Sequence, residues 1–115
     1  MAAMLDGEHV VLENAANTTL GVVATNVPFS KVEMTKIAQM AHDGYARAIN
    51  PVHTMGDGDT IFSMSTGTTD QQAELSAIGA IAATVMSRAI VRAAMQATSV
   101  PELKLIAFRD YAGRG

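Results

Sequence analysis

A chain of 115 residues is one small domain or part of a larger one, and an apolar content of 49% supports a core built largely from Ala and Met. A net charge of −3 with no basic cluster excludes an electrostatic footprint for nucleic acid. The lack of cysteine excludes a disulfide scaffold and Cys-ligated zinc.

Residues 1–17 read as a lead-in. They have neither the basic nor the apolar region of a secretory signal, so a cytoplasmic location is the default expectation. Glu8–Leu12 suits a short extended piece, and residues 13–17 are loop-like. Leu20–Thr25 is the first strand. Thr and Val fit a pleated surface, and Asn14, Asn17, Asn26 and Pro28 bracket the run. The strand is apolar on both faces, which predicts a central strand covered on both sides.

Ser30 opens a helix, and Glu33 stands at the spacing of a capping box. Met34, Ile37, Ala38, Ala41, Tyr45 and Ile49 then recur on one helical face. Asn50-Pro51 ends the helix, because the residue before proline is pushed out of the α region. Residues 51–58 form a polar loop, and Asp59–Ser65 alternates as a second strand.

Residues 66–69 are a turn in which Thr68 or Thr69 can cap the next helix, with Asp70 favourably placed in its first turn. That helix is expected from about Asp70 to Ala97. Its most apolar part, Ala73–Met95, carries Glu74, Arg88 and Arg92 and is rich in Ala, so it reads as a buried helix of a soluble domain and not as a membrane span. Ala77, Gly79, Ala80 and Ala83 allow close approach to a neighbour. Ser99-Val100-Pro101 stops the helix, and the tail holds one short strand or turn. The order is strand, helix, strand, helix. Two strands do not make a stable two-sided sheet, so completion by another chain or by further copies is expected.

Three groups of residues could carry chemistry. Thr18 follows Asn17 directly before the first strand; freed of the preceding bond, it would have its own amine as general base. The same pair is also the ordinary sequence of a turn entering a strand. Asp57-Gly58-Asp59 places two carboxylates at the mouth of the second strand. They could hold an amine, orient a proton transfer or bind a hard cation, or form a solvated turn. A calcium loop would need further oxygen ligands that the sequence lacks. His42 and Asp43, adjacent on a helix, do not share a face. His53 lies in the loop, and His9 has no visible partner.

Taken together, the strings Asn17–Asn26, Met40–Ile49, Pro51–Thr54, Asp57–Phe62 and Ser65–Gly67 resemble the C-terminal, nucleophile-bearing part of the DmpA-like L-aminopeptidase/D-esterase peptidases. That family includes β-aminopeptidases and nylon-oligomer hydrolases, and the resemblance runs from about Asn17 to Pro101. It implies a precursor that cuts itself between Asn17 and Thr18, leaving Thr18 as the N-terminal nucleophile. Asp57 and Asp59 would then handle protons or position the amine, with no cofactor and no metal. Residues 1–17 would be the end of an upstream chain, and 18–115 the nucleophile-bearing chain.

The implied fold is α/β, half of a four-layer αββα sandwich. The implied partners are the upstream first chain and a peptide or amide substrate, in an oligomer of heterodimers, with neither nucleic acid nor membrane. Family members are much longer. Their first chain supplies further strands, an active-site Lys and an oxyanion-stabilising Asn. Lys31 and Lys36 belong to the first helix and do not replace that Lys, and Asn26 is a weak stand-in for that Asn. This chain is therefore expected to be a fragment or a small subunit. Two other readings are an ornithine acetyltransferase-like Thr acyltransferase, whose usual motifs find no match here, and a non-catalytic remnant.

Overall fold

The computed structural model describes residues 17–112. The extended piece expected at Glu8–Leu12, and His9, lie outside these residues. The elements are β1 (Leu20–Thr25), α1 (Lys31–Ala48), β2 (Thr60–Ser65), α2 (Leu75–Gln96), a 3-10 turn (Pro101–Leu103) and α3 (Phe108–Ala112). β1 and β2 pair in parallel, from Leu20 opposite Thr60 to Thr25 opposite Ser65. Parallel neighbours need a crossover, and α1 is that crossover. The fold is α/β in the order strand, helix, strand, helix.

Local chemistry explains where α1 begins. The Ser30 side chain accepts from the Glu33 N–H at 3.2 Å, and Glu33 Oε1 accepts from the Ser30 N–H at 2.9 Å. Both halves of the expected capping box are present, which satisfies two backbone donors otherwise left over at a helix start. At the other end Ile49 is extended, and its N–H reaches the Tyr45 carbonyl at 2.8 Å.

The start of α2 differs from expectation. Neither Thr68 nor Thr69 caps it, and the helix begins at Leu75 rather than near Asp70. Thr69 Oγ1 accepts from the Gln71 N–H at 3.2 Å. That local bond offers the backbone an alternative to helix, so residues 70–73 stay irregular. The tail also has more structure than a strand or turn. Val100 and Leu105 bridge across the 3-10 turn, and α3 follows.

The core forms where α1 meets β2 and α2. It holds Met34, Ile37, Ala41 and Tyr45 from α1, Ile61 from β2, and Ala82 and Met86 from α2. Gly44 marks the closest helix approach, since a Cβ there would strike the Ala83 carbonyl. Both helices cover the same face of the sheet. On the other face Leu20, Val22, Phe62 and Met64 are 51–70% exposed. Among the described residues, the expectation of a strand covered on both sides is therefore met on one side only. The same holds for α2. Gly79, Ala82, Ala83 and Met86 are buried, whereas Ile81 and Val85 are exposed. By length and composition alone α2 could cross a membrane.

Candidate active site

The parallel ladder continues past β1 toward the chain's start. Asn17 bridges to Asp57; the Gly58 N–H donates to the Asn17 carbonyl at 2.7 Å and the Thr60 N–H to the Thr19 carbonyl at 3.0 Å. Residues 17–19 therefore lie along residues 57–60, and Thr18 is exposed between the two bonds. Its Oγ1 lies so close to Gly58 that a Cβ there would stand 2.8 Å away.

The loop that brings Asp57 and Asp59 here is held by its own polar groups. The Asp57 N–H donates to the Thr54 carbonyl at 3.0 Å, and the Thr54 N–H to Asp57 Oδ2 at 2.8 Å. His53 takes a φ of 54°, a left-handed conformation that turns the chain back on itself. Its N–H then donates to Asp59 Oδ2 at 3.2 Å, and its Nδ1 lies 2.8 Å from the same oxygen. Asp59 Oδ1 accepts from the Thr19 N–H at 3.2 Å. The Asp59 side chain is only 6% exposed. Burial alone would raise its carboxyl pKa. The bonds from Thr19 and His53 and the nearby His53 charge outweigh burial, and the net shift is downward.

Tyr45 anchors the two strands from below. Its hydroxyl lies 3.2 Å from the Thr19 carbonyl and 3.1 Å from the Thr60 carbonyl, and shares one proton between them. Burial, and then Asp59, push its pKa up. The His42 ring packs edge-on to Tyr45 at 5.2 Å and lies 4.9 Å from the His53 ring. Burial first and His53 second push the His42 pKa down, against the opposing pull of Asp59 and Asp43. His42 Nδ1 is buried without a hydrogen-bond partner among the described residues.

Four residues singled out in the sequence, Asn17, Thr18, Asp57 and Asp59, thus meet at one end of the sheet. The carboxylates are engaged within the loop and the strand start: Asp57 with the Thr54 N–H, and Asp59 with the N–H groups of Thr19 and His53 and with the His53 ring. Asn26 lies past the opposite end of β1, and Lys31 and Lys36 follow it on α1. His53, Tyr45 and Gly58 were not singled out for this site. His53 stands six positions from Asp59 across a Gly-containing turn, which is the one sequence signal of their meeting. Among the described residues no three His, Asp or Glu side chains gather as metal ligands.

Comparison with known proteins matches residues 2–105 to the family described as peptidase family S58. The chain is 37% identical over 100 residues to an uncharacterized aminopeptidase of Mycobacterium leprae, covering 76% of this chain and 28% of that protein. An uncharacterized aminopeptidase of Mycobacterium tuberculosis (strain H37Rv) is 37% identical over 97 residues, covering 73% and 28%. A 6-aminohexanoate-oligomer endohydrolase of Kocuria sp. is 40% identical over 91 residues, covering 70% and 26%. The chain therefore spans little more than a quarter of the length of these relatives.

Proposed function

The chain belongs to peptidase family S58, and from that premise we propose that it is the nucleophile-bearing part of a self-processing N-terminal-threonine hydrolase. Cleavage falls between Asn17 and Thr18. The freed amine of Thr18 then takes the proton of its own hydroxyl as the oxygen attacks a peptide, amide or ester carbonyl. An acyl-enzyme forms and water releases the acid. Asp59 holds the backbone of Thr19 and so fixes the nucleophile's direction, while Asp57 closes the loop beside it. The names of the relatives, aminopeptidase and oligomer endohydrolase, agree with hydrolysis at an amide.

The observation that carries this reading is the position of Thr18. It is exposed, at the start of a strand, with the Asn17 carbonyl bonded to the Asp57-Gly58-Asp59 loop. The bare sheet face of Leu20, Val22, Phe62 and Met64 and the exposed side of α2 support a partner segment. We assign that role to an upstream first chain, which would complete a four-layer αββα sandwich. In this arrangement α2 is a packing helix and not a membrane span.

The test is the intact mass of the polypeptide expressed with its upstream coding sequence. Wild type is expected to yield a fragment beginning at Thr18. The Thr18→Ala variant is expected to stay whole and to hydrolyse neither an aminoacyl p-nitroanilide nor a 6-aminohexanoate oligomer. A wild-type chain that stays whole, or a Thr18→Ala chain cut at the same bond, overturns the reading.

A further inference from the structure

The hydrogen bond from the Gly58 N–H ends on the Asn17 carbonyl, the carbonyl of the very peptide bond that precedes Thr18. At 2.7 Å it is shorter than the cross-strand bonds that flank the β1–β2 ladder at its two ends, Thr60 N–H to Thr19 at 3.0 Å and Thr66 N–H to Thr25 at 2.9 Å. Resting on the self-processing reading above, we infer that the Gly58 N–H is an oxyanion donor, supplied by this chain itself, for the attack of Thr18 on Asn17.

Thr18 Oγ1 forms a bond to the Asn17 carbonyl carbon, and the carbonyl electron pair moves onto its oxygen, where the Gly58 N–H already points. Collapse of that oxyanion breaks the Asn17–Thr18 C–N bond. The proton from Oγ1 ends on the departing Thr18 nitrogen, and an ester joins Asn17 to Oγ1. Water then cleaves the ester to an Asn17 carboxylic acid and a free Thr18 hydroxyl.

Two further observations fit this role. The donor is fixed before the reaction, because residues on both sides of Gly58 are tied down. Asp57 is bonded to Thr54, and Asp59 to Thr19 and His53. Stabilisation of a developing charge is strongest when the donor need not reorganise. Gly58 also has no side chain where one would meet the nucleophile: a Cβ would stand 2.8 Å from Thr18 Oγ1 and 3.9 Å from Thr18 Cβ and Cγ2. Gly58 thus stands beside the Thr18 side chain while its N–H is bonded to the Asn17 carbonyl.

An ordinary ladder bond has the same partners, so the experiment compares two ladder bonds. In the full precursor used above, Gly58 is replaced by glycolic acid through nonsense suppression, which exchanges its N–H for an oxygen. In a second precursor Thr60 is replaced by its α-hydroxy acid, which removes the neighbouring bond to Thr19. Self-cleavage is followed by intact mass, and folding by thermal melting. The substitution at 58 is expected to slow cleavage roughly 10²–10³-fold, as loss of one oxyanion donor does. The substitution at 60 should slow it less than tenfold, with similar melting midpoints for both chains. Equal slowing by the two, or cleavage of the 58 chain within tenfold of wild type, overturns the inference.

Should the 58 chain fail to fold, the uncut Thr18→Ala precursor decides, labelled with ¹⁵N at Gly58 and ¹³C at the Asn17 carbonyl. A scalar coupling across this hydrogen bond larger than the one measured in the same way between Thr60 and Thr19 supports the assignment, and an equal, smaller or absent coupling overturns it. Failure of the self-processing reading looks different, since a wild-type precursor would then not be cut at all.

Discussion

Asp59 serves three donors with two oxygens: the N–H of Thr19, the N–H of His53 and the His53 ring. These bonds favour the ionised form, so the folded carboxyl titrates below its ordinary value of 3.8. On acidification the unfolded chain takes up this proton first. The stabilisation is therefore complete above about pH 3.8 and is lost as pH falls through the lower folded value. Urea titrations between pH 5 and pH 2 should show that loss in the wild type, and Asp59→Asn should be less stable at neutral pH and lack the same step. His42 has a depressed pKa for another reason, burial, and its ordinary value is 6.5. Stability should fall as pH drops below about 6.5, since the unfolded state binds the proton first. His42→Gln should flatten that part of the profile. Asp57 and Asp59 could be read from the sequence because a carboxylate pair beside a glycine is a local pattern. His53 could not, because its part depends on a left-handed backbone that turns its N–H and ring onto Asp59.

Elements were legible where their determinants are local. The capping box at Ser30 and Glu33 involves side chains three positions apart, and α1 starts there. Ser30→Ala should cost about 1 kcal/mol in chemical denaturation. The start of α2 lies later than the sequence predicts because Thr69 bonds to Gln71 instead of capping a helix, and sequence alone does not rank the two options. The contact between α1 and α2 rests on Gly44, where the obstructing group is the Ala83 carbonyl, a backbone atom that cannot rotate aside. Gly44→Ala is therefore expected to destabilise by about 1–3 kcal/mol, as overpacking does, although Ala favours helix. A denaturant midpoint at or above wild type would show that the helices can separate at no cost.

At the scale of the whole molecule, the one-sided sheet is the chief departure from the sequence reading. An alternating exposed row of Leu20, Val22, Phe62 and Met64 is as apolar as the covered row. Composition showed both faces to be apolar; it could not show that the described residues cover only one. A change on the bare face should leave the local fold intact and break assembly. The double variant Val22→Lys, Phe62→Glu is expected to keep the β1–α1–β2 unit, read as the amide exchange of Tyr45 and Ile61, and to lose co-purification with the upstream segment. Retained co-purification would place the partner elsewhere.

The parallel crossover also sets an order of events. Thr19 and Asp59 are separated by 40 positions, and α1 must form and dock between them before they meet. Contacts so distant in sequence form late, because loop closure precedes any reward for it. Under the self-processing proposed above, the Asn17–Thr18 bond would therefore be safe in a nascent or misfolded chain and vulnerable only in a folded one. The cut would act as a receipt for correct folding: each released N-terminal threonine would certify that its chain had already closed the crossover.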